Sequence, residues 1–454
     1  MSSMFWIQLL AVLVILFFAA RKSGIALGLI GGIGVVMFVF GFGLAPGKPP
    51  IDVMLVMLSV VCAGAALQAS GGLDYVMLQQ AEKLLRKHPR YVTVLAPLTT
   101  IVLTFLCGTG HVVYTLLPII YDISIKTGNR PERAMAASTI AAQMGIVISP
   151  ASVAVVSMIA LMKGHPLVNG QDLGLIQLLQ ITMPSALIGV LVVGFVSMYR
   201  GKDLDKDAEF QELIKDPETK KYVYGSSATL LDKVFTSKQY ASVWLFLGTI
   251  AIIAILGMFP SLVPTFTIKG KLTALSMVDV IQMFMLSVAA IIYVVADLKT
   301  KTVVESDVFK AGMTAVIAVF GIAWMTSTMF GAHTADIKAS MGDLVKLYPW
   351  AYAVVLILIS KLINSQAAAV SAMVPIALAV GVEPGMIAAF AAAAYGYWIL
   401  PTYPSDIAAL SFDRAGTTKI GKFVINHSFL LPGFVGVTTA CVCGYLFAKL
   451  YGLI

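Results

Sequence analysis

Charged side chains are scarce. Asp, Glu, Lys and Arg make up 12% of the 454 residues, about half the roughly 25% of soluble domains, which excludes a water-soluble globule. Cysteine is scarcer still: the four residues Cys62, Cys107, Cys441 and Cys443 lie in apolar segments without ligand spacing or histidine pairs, and read as free buried thiols rather than metal ligands. A Walker A sequence, an HExxH helix and a Ser/His/Asp arrangement are all missing. Neither ATP hydrolysis nor hydrolytic catalysis has a motif to rest on, and no enzyme activity, cofactor or metal is expected. The net charge of +8 does not point to nucleic acid, because in so apolar a chain the placement of Lys and Arg says more than their sum.

What the chain has is apolar length. Residues of the AVILMFWYC set make up 59% of it, and runs of about 20 residues at 1.5 Å rise cross ~30 Å of hydrocarbon. Such segments fall at 4–20, 24–44, 51–69, 91–126, 131–162, 174–199, 241–259, 274–296, 311–330, 349–381, 384–412 and 427–449. The opening stretch lacks a basic leader and a small-residue cleavage site, and is expected to stay as the first span. Segments 91–126 and 349–381 are interrupted at Cys107-Gly108-Thr109-Gly110-His111 and at Asn364-Ser365-Gln366; each is expected to form a re-entrant helical hairpin. The fold class is therefore an all-α polytopic membrane protein of ten crossings and two hairpins.

With the N-terminus outside, 23 of the 31 Lys and Arg fall in inside loops, as the positive-inside rule requires. Both termini are then periplasmic. The charged 200–240 loop separates two halves, each of five crossings plus a hairpin, so the second half is inverted. Gly108 and Asn364, Pro118 and Pro375, and Pro150 and Pro404 recur at nearly one spacing, which marks an inverted repeat. The expected division places scaffold in 1–90 and 241–348, hairpin plus broken helix in 91–173 and 349–426, a last crossing in 174–199 and in 427–454, and a cytoplasmic linker at 200–240. Segments 74–88 and 333–347 read as interfacial helices.

Helix breaks in hydrocarbon survive only where protein or an aqueous cavity satisfies the freed backbone groups. Four are expected: the Gly108-Thr109-Gly110 tip, Ser149-Pro150, the Asn364-Ser365-Gln366 tip, and Pro401-Thr402-Tyr403-Pro404-Ser405-Asp406. Helix N-termini meeting at the midplane offer opposed sets of N–H donors, which suit a dianion. The candidate binding residues are Gly108, Thr109, Gly110, His111, Ser149, Asn364, Ser365, Gln366, Thr402 and Ser405. Tight turns alone would account for the glycines, capping alone for Asn364 and Ser365, and a satisfied core histidine for His111. Lys361 and Asp406 are coupling or charge-pair candidates, either bound to substrate or paired with each other. Asp122 is placed near the inner end of its arm, in reach of water.

These tips resemble the anaerobic C4-dicarboxylate transporter (Dcu) family over essentially the whole length. The stretches that carry the resemblance run from Ala26 to Gly34, Leu67 to Asp74, Gly108 to Thr115, Lys361 to Ala369 and Pro401 to Asp406, and His111 looks like the fumarate/succinate exchanger branch. The resemblance implies uptake of fumarate, malate or aspartate against efflux of succinate, by alternating access, in a bacterial inner membrane during anaerobic respiration. It further implies kinship with dimeric elevator carriers, hence a homodimer in membrane lipid. A proton- or sodium-coupled symporter and a dicarboxylate-binding sensor are the rival readings.

Overall fold

The computed structural model describes residues 3–22, 25–49, 51–73, 78–225, 229–268, 271–333, 348–421 and 426–454. The expected interfacial helix at 333–347 lies almost wholly outside them, as do the first residues of the one at 74–88. The rest of that second segment forms α4 below.

The first half runs α1 (Ser3–Lys22), α2 (Ala26–Val36, closing in a π-turn at Met37–Gly41), α3 (Ile51–Ala69), α4 (Leu78–Lys87), α5 (Val92–Cys107), α6 (Val113–Lys126), α7 (Pro131–Met144), α8 (Val153–Met162) and α9 (Leu175–Met198). The linker holds α10 (Ala208–Leu213) and α11 (Pro217–Tyr224). The second half runs α12 (Ser237–Met258), α13 (Met277–Val295), α14 (Thr300–Val304), α15 (Asp307–Ala332), α16 (Ala351–Ile363), α17 (Gln366–Val380), α18 (Pro384–Ala389), α19 (Pro404–Phe412) and α20 (Leu430–Leu450). Among the described residues, eight helical stretches are long and apolar enough to cross a membrane, including Pro89–Cys107, while Ala351–Ile363 and Gln366–Val380 are shorter apolar helices. Between α12 and α13 lies an antiparallel ribbon, β1 (Thr265–Ile268) on β2 (Lys271–Ala274).

The helices pack in two groups. In one, α9 lies along α20, and α5 and α7 pack against α9. In the other, α15 packs on α2 and α3, and α13 on α3 and α12, while α17 lies between α15 and α8. Lipid tails give no hydrophobic drive between helices, so close approach depends on small residues. A Cβ on Gly321 of α15 would stand 1.8 Å from the Gly28 carbonyl oxygen of α2. Two helical stretches are interrupted. After α7 comes a 3-10 turn, Gly145–Ile148, and α8 starts afresh at Ser152, whose hydroxyl accepts from Val155 N–H at 3.2 Å. The second break is longer than its prolines indicate, because the chain leaves α-geometry at Phe390 and regains it only at Pro404.

On the side of the basic loops, ion pairs clip the linker to the bundle. Arg133 pairs with Asp203 at 2.9 Å, and Arg130 pairs with Asp207 and, at 2.9 Å, with Glu132. Glu132 also accepts from Ser428 Oγ at 2.7 Å and pairs with Arg200 at 3.2 Å, joining α7 to the segment before α20. Further along, Glu82 of α4 accepts from Thr229 Oγ1 at 2.7 Å and Leu230 N–H at 2.8 Å. Asp122 departs from expectation: it is buried, paired with Arg86 at 3.0 Å and Lys126 at 2.7 Å.

The linker contacts carry a pH dependence. Burial raises the Asp207 pKa, but the hydrogen bond from Arg130 and main-chain N–H groups outweigh it, and the carboxyl ends below its ordinary 3.8. Asp203 is lowered from 3.8 by its bond from Arg133. A carboxyl depressed in the folded state stabilises above its unfolded pKa, and that contribution is lost as pH falls through the lower folded value. Hydrogen exchange at residues 203–213 is therefore expected to be protected at neutral pH and to lose that protection, relative to the intrinsic rate, below 3.8. Unchanged protection there would show that the ion pairs do not hold the linker.

Candidate functional site

The two tips share one backbone design. At the first, α5 ends on Gly108 in the left-handed region (φ 72°), Thr109 is extended, and its Oγ1 accepts from His111 N–H at 3.3 Å. At the second, α16 ends on Asn364 in the same region (φ 54°), Ser365 is extended, and its Oγ accepts from Ala368 N–H at 3.4 Å. A positive φ is easy for glycine and tolerated by Asn, whose short polar side chain bonds locally. The residues after each extended cap, Gly110 and Gln366–Ala367, carry first-turn N–H groups that no intrahelical carbonyl reaches. Both tips thus present amide donors.

Two cavities meet there. A deep one of about 170 Å³ is lined by Gly108, Thr109, His111, Asn364, Ser365, Gln366, Tyr397 and Tyr403. An outer one of about 920 Å³ shares His111, Asn364, Ser365 and Tyr403, adds Thr402, and runs to Lys233, Asp307 and Lys310 on the side of the basic loops.

Lys361 organises the second wall. Its ammonium donates to Thr402 Oγ1 at 2.8 Å, to the Leu400 carbonyl at 3.2 Å and to Asn364 Oδ1 at 3.3 Å. An ammonium has three protons and no acceptor, so all three are used. With Oδ1 of Asn364 turned to Lys361, the Asn364 NH₂ is the free end of the amide. With Thr402 Oγ1 accepting, its hydroxyl proton is free to donate. The ammonium therefore presets both side chains as donors and adds a positive charge behind them. Lys361 forms no ion pair with Asp406 among the described residues. Asp406 is 1% exposed in the first turn of α19, and neither carboxylate oxygen has a partner there.

The remaining candidates divide. Gly108, Thr109, His111, Asn364, Ser365 and Thr402 come together at the cavities, and His111 stacks on Tyr114 with Nδ1 unpartnered among the described residues. Ser149 lines neither cavity: its hydroxyl donates to the Phe105 carbonyl at 2.6 Å, capping an orphan carbonyl at the end of α5. Gly110 is buried with the Gln143 amide 2.7 Å from where a Cβ would be. Gln366 reaches the deep cavity, but its NH₂ donates to the Gln143 carbonyl at 2.8 Å and to Tyr397 Oη at 3.3 Å, which leaves no side-chain donor for a carboxylate. Ser405 is buried, its hydroxyl unpartnered among the described residues, and it lines neither cavity. Sequence reasoning missed Gln143, Tyr397 and Tyr403. The signal available was a polar or phenolic residue in an Ala-rich stretch for Gln143 and Tyr397, and a phenol between the two prolines of the second break for Tyr403.

A family model described as an anaerobic C4-dicarboxylate membrane transporter matches residues 4–452. The chain belongs to that family. Among its relatives, the anaerobic C4-dicarboxylate transporter DcuB of Escherichia coli O6:H1 is 59% identical over 451 residues, covering 99% of this chain and all of the relative. The C4-dicarboxylate transporter DcuA of Wolinella succinogenes is 37% identical over 448 residues, 98% of this chain and 99% of the relative. Anaerobic C4-dicarboxylate transporters are membrane transporters rather than enzymes. Two solved structures share the fold. The YdaH transporter of Alcanivorax borkumensis aligns with a TM-score of 0.55 at 15% identity, over 91% of this chain and 87% of its own. MtrF of Neisseria gonorrhoeae, from a class of antimetabolite efflux pumps, aligns at 0.53 and 14%, over 92% and 84%.

Proposed function

We propose that this transporter exchanges C4-dicarboxylates across a bacterial inner membrane, taking up fumarate, malate or aspartate against succinate. One carboxylate is bound by Thr109 and the first-tip amides, with His111 beside it. The other is bound by Asn364, Ser365, Thr402 and the first amides of α17. The observation that carries this reading is the Lys361 ammonium, whose three bonds leave the Asn364 NH₂ and the Thr402 hydroxyl proton free to donate to the cavity. Charge-assisted hydrogen bonds are roughly twice as strong as neutral ones, so a dianion is favoured over a neutral diol or diamide. The two hairpins and broken crossings form the moving domain of an inverted repeat, in an elevator-type homodimer with both termini periplasmic. Lys233 and Lys310 at the outer cavity draw the dianion in from the cytoplasmic side.

Proteoliposomes loaded with succinate are expected to take up labelled fumarate, and empty ones are not. Absence of counterflow from an active, folded preparation would refute exchange. Within that assay Asn364→Gly separates conformation from chemistry: glycine keeps the left-handed turn while the amide is lost. The half-saturating fumarate concentration is expected to rise about tenfold, with little change in folded yield.

A second reading, cation-coupled symport, is favoured by Asp406, a buried carboxylate without a partner among the described residues. Uptake into empty vesicles that requires a Na⁺ or proton gradient would select it.

A further inference from the structure

Gln143 is 1% exposed, one residue before the end of α7. From this one residue, contacts run to both tips and to the second break. Its side-chain Oε1 accepts from Tyr397 Oη at 2.7 Å, and its main-chain carbonyl accepts from Gln366 Nε2 at 2.8 Å. Gln366 Nε2 also donates to Tyr397 Oη at 3.3 Å. Tyr397 has one proton, which goes to Gln143, so its oxygen accepts from Gln366. The three bonds close a ring in which each donor has one assignment. The carbonyl that Gln366 caps belongs to the last turn of α7, where it also accepts from Gly145 N–H. On its other side, the Gln143 amide lies against Gly110, so close that a Cβ there would meet Nε2 at 2.7 Å and Cδ at 3.2 Å.

A four-carbon chain fixes the separation of a diacid's two carboxylates, so the spacing between the tips decides which chain length fits. We infer that Gln143 is the positioning residue that sets this spacing, and that it thereby determines selectivity for C4 over C5 diacids. Gln143 touches no substrate. It acts through Gly110 on the first tip and through Gln366 on the second, and Tyr397 fixes its amide. The inference rests on the exchange reading above.

The test is counterflow of succinate against glutarate in proteoliposomes. Gln143→Asn keeps the amide but shortens its arm by one methylene. It is expected to raise the half-saturating succinate concentration about tenfold. The preference for succinate over glutarate is expected to fall about fivefold or more. A residue that merely holds the fold would lower the amount of active carrier for both diacids and leave their ratio alone. Tyr397→Phe deletes one hydroxyl with little change of shape and is expected to lower the ratio in the same direction. It keeps the inference open to refutation should Gln143→Asn not fold. A ratio unchanged in the folded variants, with wild-type exchange intact, overturns this inference alone. Failure of the wild-type protein to exchange either diacid overturns the exchange reading and the inference with it.

Discussion

Lys361→Met is expected to lower fumarate uptake at subsaturating concentration by about 100-fold, the equivalent of ~2.7 kcal/mol. Methionine keeps much of the length of the side chain and removes the charge. Three bonds are lost together: to Thr402 Oγ1, to the Leu400 carbonyl and to Asn364 Oδ1. The larger consequence is orientational. Without the ammonium the Asn364 amide is free to turn its oxygen to the cavity, where it would repel a carboxylate, and the Thr402 hydroxyl loses the partner that oriented its proton. Lys361→Arg is not expected to rescue. A planar guanidinium is not a compact three-proton point charge and does not reach three acceptors grouped around one nitrogen. Initial counterflow rates, normalised to folded carrier by gel filtration, measure the effect. A rate within threefold of wild type would show that the second wall is organised by something else.

Gly108→Ala is the second large effect, and it acts through the backbone. Two penalties coincide at this residue. Its φ of 72° is costly for any residue with a Cβ, by about 1–2 kcal/mol. A Cβ would also stand 2.3 Å from the Ala151 carbonyl oxygen, a main-chain atom of the first break that cannot swing aside. Overpacking costs about 1–3 kcal/mol more. The expected result is loss of most folded carrier and, in what remains, exchange at background. Thr109→Ala, next in sequence, is expected to leave folded yield near wild type and to raise the half-saturating concentration. A Gly108→Ala protein that folds and exchanges normally would mean that the first tip is not built as described here.

Particular residues show where sequence was enough. The tips at Gly108 and Asn364 were legible because polar residues and glycine interrupt long apolar runs, and hydrocarbon tolerates such interruptions only for a local reason. Pro118 and Pro375 each lie inside the helix that follows a tip, α6 and α17. Ser149 was legible as part of a break but not in its role, because its partner, the Phe105 carbonyl, lies 44 residues away. That the Lys361 ammonium bonds to Asn364, Leu400 and Thr402 rather than pairing with Asp406 turned on a few ångströms around one nitrogen, which residue types do not encode.

Sequence alone determined that this chain is helical and lives in a bilayer, and it located the two tips. Burial in lipid is governed by the local sum of side-chain transfer free energies, and the sign of the loops by local charge. The tertiary structure decided which polar groups face the cavity and which hold each other. Gln366 and Gln143 are 223 residues apart, and a hydrogen bond needs its two partners within about 3 Å and in line. That condition belongs to the packed fold as a whole and to no segment of the chain.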